Sequence, residues 1–138
     1  MPTRRRAVSA TRLLSQARAD SAACWSDEVH VEKARALYRK RFAIARRLLG
    51  NTPGYREPEG GFYLWLDIGD GARFARELWR RTGVRVMPGA YMAVENTAGD
   101  PTSNPGHRYV RIALVHDSLT TEAALERVAE FLKGAWTG

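Results

Sequence analysis

One arginine among the 138 residues is placed to do chemistry. Arg111 stands in the run Tyr109-Val110-Arg111-Ile112-Ala113-Leu114-Val115, with branched apolar residues on both sides. A guanidinium stays charged at any ordinary pH, so carrying it on a sheet face is costly unless it is paired. Its planar fork of donors matches a carboxylate through two parallel hydrogen bonds. An acid of the same chain or an anionic ligand would satisfy it equally, and a solvated strand face would leave it unpaired. Paired and solvated arginines are the commoner case, and spacing alone does not choose between them.

The other reactive residue types offer less. His30, His107 and His116 have neither an i, i+4 helical spacing nor a carboxylate cluster beside them, so no metal site is expected. Lys33, Lys40 and Lys133 fall on helical outer faces, where an amine is solvated, and none is placed as a buried amine. Gly60-Gly61 is too short for a phosphate loop and reads as a turn. Cys24 is the only cysteine, which rules out an internal disulfide and any zinc site built from cysteines. No Ser/His/Asp or Cys/His triad can be assembled. Trp25, Trp65, Trp79 and Trp136 are scattered along the chain and read as core or interface rather than as a base-stacking platform.

Elements that would position Arg111 follow from periodicity. From Ser26 to Leu49, Ala34, Tyr38, Phe42, Ala45 and Leu49 step by three or four, with Leu37, Ile44 and Leu48 widening the face. Ser26 suits the cap, and Gly50-Asn51 followed by Pro53 ends the helix. Phe62, Leu64, Leu66 and Ile68 then alternate with Tyr63, Trp65 and Asp67, the period of a strand. Phe74, Ala75, Leu78 and Trp79 mark a short helix stopped by Gly83, and Val84 to Met87 is a brief strand cut off by Pro88. After the strand from Tyr109 to Val115, Leu125, Val128, Ala129 and Leu132 stripe a last helix ending at Gly134. The fold class expected is an α/β (α+β) two-layer sandwich, a small mixed sheet of about three strands covered by helices. Between strands, Pro88 to His107 shows no periodicity. Its length and its position between a strand end and the Arg111 strand point to a site-lining loop.

Composition bounds the rest. The chain is 44% hydrophobic and 27% charged, enough for a buried core. No apolar run approaches the ~20 residues of a membrane-spanning helix, and lone-cysteine usage suits a cytoplasmic home. The net charge of +7 is local. Residues 1–58 hold 13 basic and 5 acidic side chains, and residues 59–138 hold 9 and 10. A basic, flexible leader is expected over residues 1–20, without the apolar run an export signal needs. Nucleic-acid binding through this region is disfavoured, because no stacking aromatics or recognition motif accompany the charge.

Five blocks carry a resemblance: Cys24-Trp25-Ser26-Asp27-Glu28-Val29-His30-Val31, Gly60-Gly61-Phe62-Tyr63-Leu64-Trp65-Leu66, Val86-Met87-Pro88-Gly89, Asn104-Pro105-Gly106, and Tyr109 to Val115. In this order they resemble the C-terminal portion of the class I/II aminotransferases, which use pyridoxal phosphate, with the succinyldiaminopimelate type nearest. The likeness covers about residues 15–133. It implies the small domain of such an enzyme over residues 21–138 and amino transfer between N-succinyl-2,6-diaminopimelate and 2-oxoglutarate. It also implies association as a homo-oligomer or with a large domain, and a dicarboxylate or amino acid as small-molecule partner. Arg111 matches the arginine that grips the substrate carboxylate, and Gly61 and the Pro88–His107 segment match stretches near the substrate mouth.

The family also needs a lysine that holds the cofactor in a Ser-x-Ser-Lys-like setting, an acid for the pyridinium nitrogen and a phosphate cradle. None of these settings occurs in the 138 residues, and residues 1–14 do not follow the family. The chain alone is therefore expected to bind no cofactor and to lack catalytic residues of its own. The other reading of the same residues is a non-catalytic carboxylate-binding or oligomerisation module.

Overall fold

The computed structural model describes residues 28–138. The basic leader over residues 1–20, Cys24, Trp25 and the Ser26 cap lie outside the described residues. The chain forms two compact units, Met1–Ala36 and Leu37–Gly138. Of the first, only the opening stretch of a helix is described; the second holds the rest of that helix and every other element discussed below.

The elements are α1 (Glu28–Leu49), β1 (Tyr63–Asp67), α2 (Gly71–Thr82), β2 (Met87–Pro88), β3 (Tyr109–Ala113) and α3 (Ser118–Gly134). Single 3-10 turns occupy Gly89–Met92 and Pro101–Ser103. Each later helix starts where its sequence supplies a cap. The Asp70 carboxylate accepts the Arg73 N–H at 2.9 Å, and α2 stops at Gly83, whose φ of 74° only glycine adopts without strain. Asp117 caps α3 by accepting from both the backbone N–H and the hydroxyl of Thr120. Those two donors hold its carboxyl below the usual range.

The sheet has the order β1-β3-β2, and both pairings are antiparallel. This corrects the mixed sheet expected from the sequence, while the two-layer arrangement of three strands and helices stands. The physical reason lies in the connections. Strands β1 and β2 run the same way and are joined by the crossover helix α2, which would make a parallel pair if they touched. The last strand, β3, inserts between them in the opposite direction, so no parallel pair is hydrogen-bonded.

One face of this sheet makes the core. Leu64, Leu66 and Val110 are fully buried, with Ile112 nearly so, against Ile44, Ala45 and Leu49 of α1, Phe74 and Leu78 of α2, and Leu125, Val128 and Phe131 of α3. Phe74 meets the rings of Phe131 at 5.4 Å and Trp136 at 5.1 Å, both edge-on. The Trp136 N–H donates to the Ile68 carbonyl, so the end of the chain closes this corner. Two details differ from the sequence pattern. Leu37 is 51% exposed rather than part of the buried face. A five-residue strand is about 17 Å long and covers only about eleven residues of helix, so the α1 stripe is buried from Ile44 to Leu49, with Phe42 at its margin. Phe131 is buried although it lies off the stripe of Leu125, Val128, Ala129 and Leu132, because Trp136 folds back to meet it.

Candidate functional site

The alternation that buries Leu64, Leu66, Val110 and Ile112 necessarily sends their neighbours to the opposite face. That face carries Tyr63, Trp65 and Asp67 from β1, Tyr109, Arg111 and Ala113 from β3, and Met87 from β2. None of these residues belongs to the helix-covered core, and Trp65 and Met87 are each 40% exposed. Arg111 occupies the middle. It sits on the central strand, directly across from Trp65 on one side and Met87 on the other.

The Arg111 guanidinium lies over the Tyr63 ring, 4.2 Å from its centroid. Tyr63 is the diagonal neighbour across β1, so the side chain leans toward the start of that strand. Among the described residues no acid pairs with it, and its recorded partner is this ring. The one acid on the same face, Asp67, is held by Arg108 at 3.0 Å, and that pairing raises the Arg108 pKa above the arginine norm. Of the partners left open by the sequence, an acid of the same chain is thus missing among the described residues.

Beside Arg111 is an open cleft of about 330 Å³ lined by Arg85, Val86, Met87, Pro88, Tyr91 and Ala113 as well as Arg111 itself. Val86, Met87, Pro88 and Ala113 make its walls largely apolar, and Arg85, Arg111 and Tyr91 are its residues with polar side-chain groups. A site of this composition can bind and orient an anion whose remaining surface is apolar. The lining holds no Lys, Cys, Ser, His, Asp or Glu.

The structure brings Arg111 together with the front of the Pro88–His107 segment, but Gly61 does not line the cleft. Gly61 precedes β1 with φ of 86° and no atom within 4 Å of where a Cβ would stand. Backbone conformation, not crowding, therefore asks for glycine there. Extending the register places Gly61 about four residues, or roughly 13 Å, along the strands from Arg111. The lean of Arg111 over Tyr63 shortens that gap.

The Pro88–His107 segment is more ordered than a structureless loop, and its organiser is a residue that the sequence reading gave no role of its own. Asn104 is buried, and its amide donates to the Ala90 and Ala93 carbonyls, each at 3.0 Å, while its side-chain oxygen accepts the Gly106 N–H at 2.8 Å. Two glycines permit the closure. A Cβ on Gly106 would lie 2.1 Å from the Gly89 carbonyl oxygen, which no side chain survives. Asp100 caps the second 3-10 turn through Thr102, and these hydrogen bonds hold its carboxyl below the usual range. The run Asn104-Pro105-Gly106 was the signal available in the sequence. On the outside of this ordered segment Tyr91 and Val94 are 78% and 83% exposed.

The remaining candidates stay apart from this face. Lys40 and Lys133 are exposed and neither lines the cleft; Lys33 lies on α1, in the other unit. Lys133 borders a separate cavity of about 650 Å³ at the ends of α1 and α3, where Arg47 and Arg108 also stand. Both of those arginines already have acids, Glu122 and Asp67. Among the described residues no group of His, Cys, Asp and Glu can hold a metal ion, and no helix is long and apolar enough to cross a membrane.

Comparison with known proteins adds a lineage to this geometry. No family model matches the chain. The LL-diaminopimelate aminotransferase of Nitratidesulfovibrio vulgaris is 32% identical over 100 residues, which are 69% of this chain and 23% of that protein. A solved aminotransferase from Neisseria meningitidis superposes with a TM-score of 0.72 at 38% identity, over 80% of this chain and 28% of that one. The aminotransferase AspB of Helicobacter pylori gives a TM-score of 0.68 at 28% identity, covering 81% and 27%. The chain therefore spans about a quarter of the length of these relatives, and over that span it is homologous to aminotransferases of the class I/II fold.

Proposed function

We propose that this chain acts as the carboxylate-gripping small domain of an aminotransferase of the diaminopimelate type, with Arg111 as the grip. One observation carries the reading: a partly buried arginine, at the centre of the sheet face opposite the helix-packed core, has no acid to pair with among the described residues. Tyr63 beneath the guanidinium limits its orientations, so less freedom is lost when a carboxylate docks. Gly61, with its left-handed backbone, would let the chain pass close to a ligand held at the start of β1. The relative named for diaminopimelate supports a diaminopimelate derivative as amino donor, and 2-oxoglutarate would be the acceptor.

Pyridoxal phosphate would supply the electron sink for amino transfer in aminotransferases at large. The described residues do not fit that group. Neither Lys40 nor Lys133 reaches the Arg111 cleft, and no acid lines it. On this reading the chain binds and orients, and it transfers no amino group by itself. A large domain or a second copy would cover the face of Trp65, Met87 and Tyr91. Equilibrium dialysis with labelled 2-oxoglutarate tests the grip: retention by the unaltered chain, lost in Arg111→Gln, is expected. Equal retention by both, or none by either, would overturn it. In the same material, incubation with pyridoxal phosphate is expected to leave no yellow complex after gel filtration.

A further inference from the structure

The stripe of Phe74, Ala75, Leu78 and Trp79 that marks α2 in the sequence divides in the structure. Phe74 and Leu78 are fully buried, whereas Trp79 is 50% exposed. Ala72, Ala75, Arg76 and Trp79, spaced three and four apart, make a second face of the helix. Together with Arg85 and Val86, from the stretch leading into β2, they line a groove of about 330 Å³. Neither Arg111 nor Tyr63 borders it.

The groove holds two cations without counter-ions. The Arg85 guanidinium lies 5.3 Å from the centroid of the Trp79 ring, and both residues line the groove. Among the described residues neither Arg76 nor Arg85 is paired with an acid, and no Asp or Glu lines the groove. Arg80 and Arg81 stand in the last turn of α2, where the helix dipole favours cations. Arg76 lies a turn earlier, outside the reach of that effect, and four residues before Arg80 it adds like-charge repulsion. The one acid of the helix, Glu77, is held by Arg73 at 3.1 Å. Two guanidinium forks with no acid suit a phosphate monoester, which carries about two negative charges near pH 7. An indole half open to water is a stacking surface for a planar ring. A dicarboxylate would meet the forks and leave the indole unused.

We infer that the groove between α2 and β2 is a binding site for a mononucleotide, with Arg76 and Arg85 on its phosphate and Trp79 against its base. Its volume falls within the range of small-molecule pockets, about 300–1,000 Å³. The indole beside Arg85 restricts the guanidinium before a ligand arrives, so less freedom is lost on docking. Every base has a π-face, so the site selects the nucleotide class rather than one base.

Titration calorimetry on the 138-residue chain with adenosine 5′-monophosphate, adenosine and inorganic phosphate tests both halves of the site. The nucleotide is expected to bind about tenfold tighter than adenosine or phosphate, because each of these lacks one half of the contacts. Arg76→Gln and Arg85→Gln should each weaken the nucleotide about tenfold. Trp79→Leu should weaken it by a similar factor and adenosine with it. Lys133→Gln removes a cation that does not line the groove and should change nothing. All four side chains are exposed, so the variants should fold, as circular dichroism will verify. Absence of nucleotide binding overturns the inference. So does nucleotide binding matched by adenosine or by phosphate alone, or binding that Lys133→Gln weakens as much as Arg76→Gln. A short oligothymidylate that binds far more tightly than the mononucleotide would make this face a single-strand surface, and that also overturns it.

Discussion

The two faces of one small sheet obey different rules. On the helix-covered face, Leu64, Leu66 and Val110 are sealed from water and Ile112 nearly so. On the other face, one residue further along each strand, Trp65 and Met87 are 40% exposed and Arg111 keeps a guanidinium without a counter-ion among the described residues. A strand cannot specify one face without specifying the other. Stability is therefore concentrated in the apolar face, and the proposed carboxylate grip sits in its complement.

The strongest way to break that division is to attack the covered face. Phe74→Ala removes a fully buried ring that contacts Phe131 and Trp136, and a loss of about 3–5 kcal/mol is expected. Urea unfolding monitored by circular dichroism measures it. A loss below about 1 kcal/mol would mean that this corner of the core is loosely packed.

A smaller effect tests the ordered segment that borders the open face. Asn104→Ala leaves the Ala90 and Ala93 carbonyls without their donor and should cost about 1–3 kcal/mol. Because Tyr91 lies on this segment and lines the cleft, the same variant should weaken carboxylate binding. Unchanged unfolding and unchanged binding together would show that Asn104 does not organise the segment.

The mildest probe is pH. The Asp117 carboxyl is held below its usual range by the Thr120 hydroxyl and N–H. Its native state thus binds protons less readily than the unfolded chain, whose carboxylates titrate near about 3.9. The cap is fully effective above that value and is lost as pH falls through the lower native one. Asp117→Asn keeps a capping oxygen and removes the titration, so its stability should decline less steeply below about pH 4. Identical acid limbs in the two proteins would contradict the assignment.

Much of this division was legible from residue order. Strict alternation in Phe62 to Ile68 and in Tyr109 to Val115 named the buried set and put Arg111 on the other face, because period two is a property of the strand itself. Sheet order was not legible. That β3 enters between β1 and β2 depends on a crossover no local pattern encodes. Asn104 was also hidden, since its carbonyl partners lie 14 and 11 residues back along the chain and only folding brings them together. That Arg85 and Arg111 border one cleft was hidden as well, because the β2–β3 pairing that brings the two segments together involves a strand of two residues, too short to announce itself.

The most direct measurement follows the Nε–Hε resonance of Arg111 by nuclear magnetic resonance while glutarate is added. The account predicts a saturable shift of that resonance, absent in Arg111→Gln, with the core methyl signals of Leu64 and Val110 unmoved. An Arg111 resonance that stays fixed while the protein binds glutarate elsewhere would contradict it.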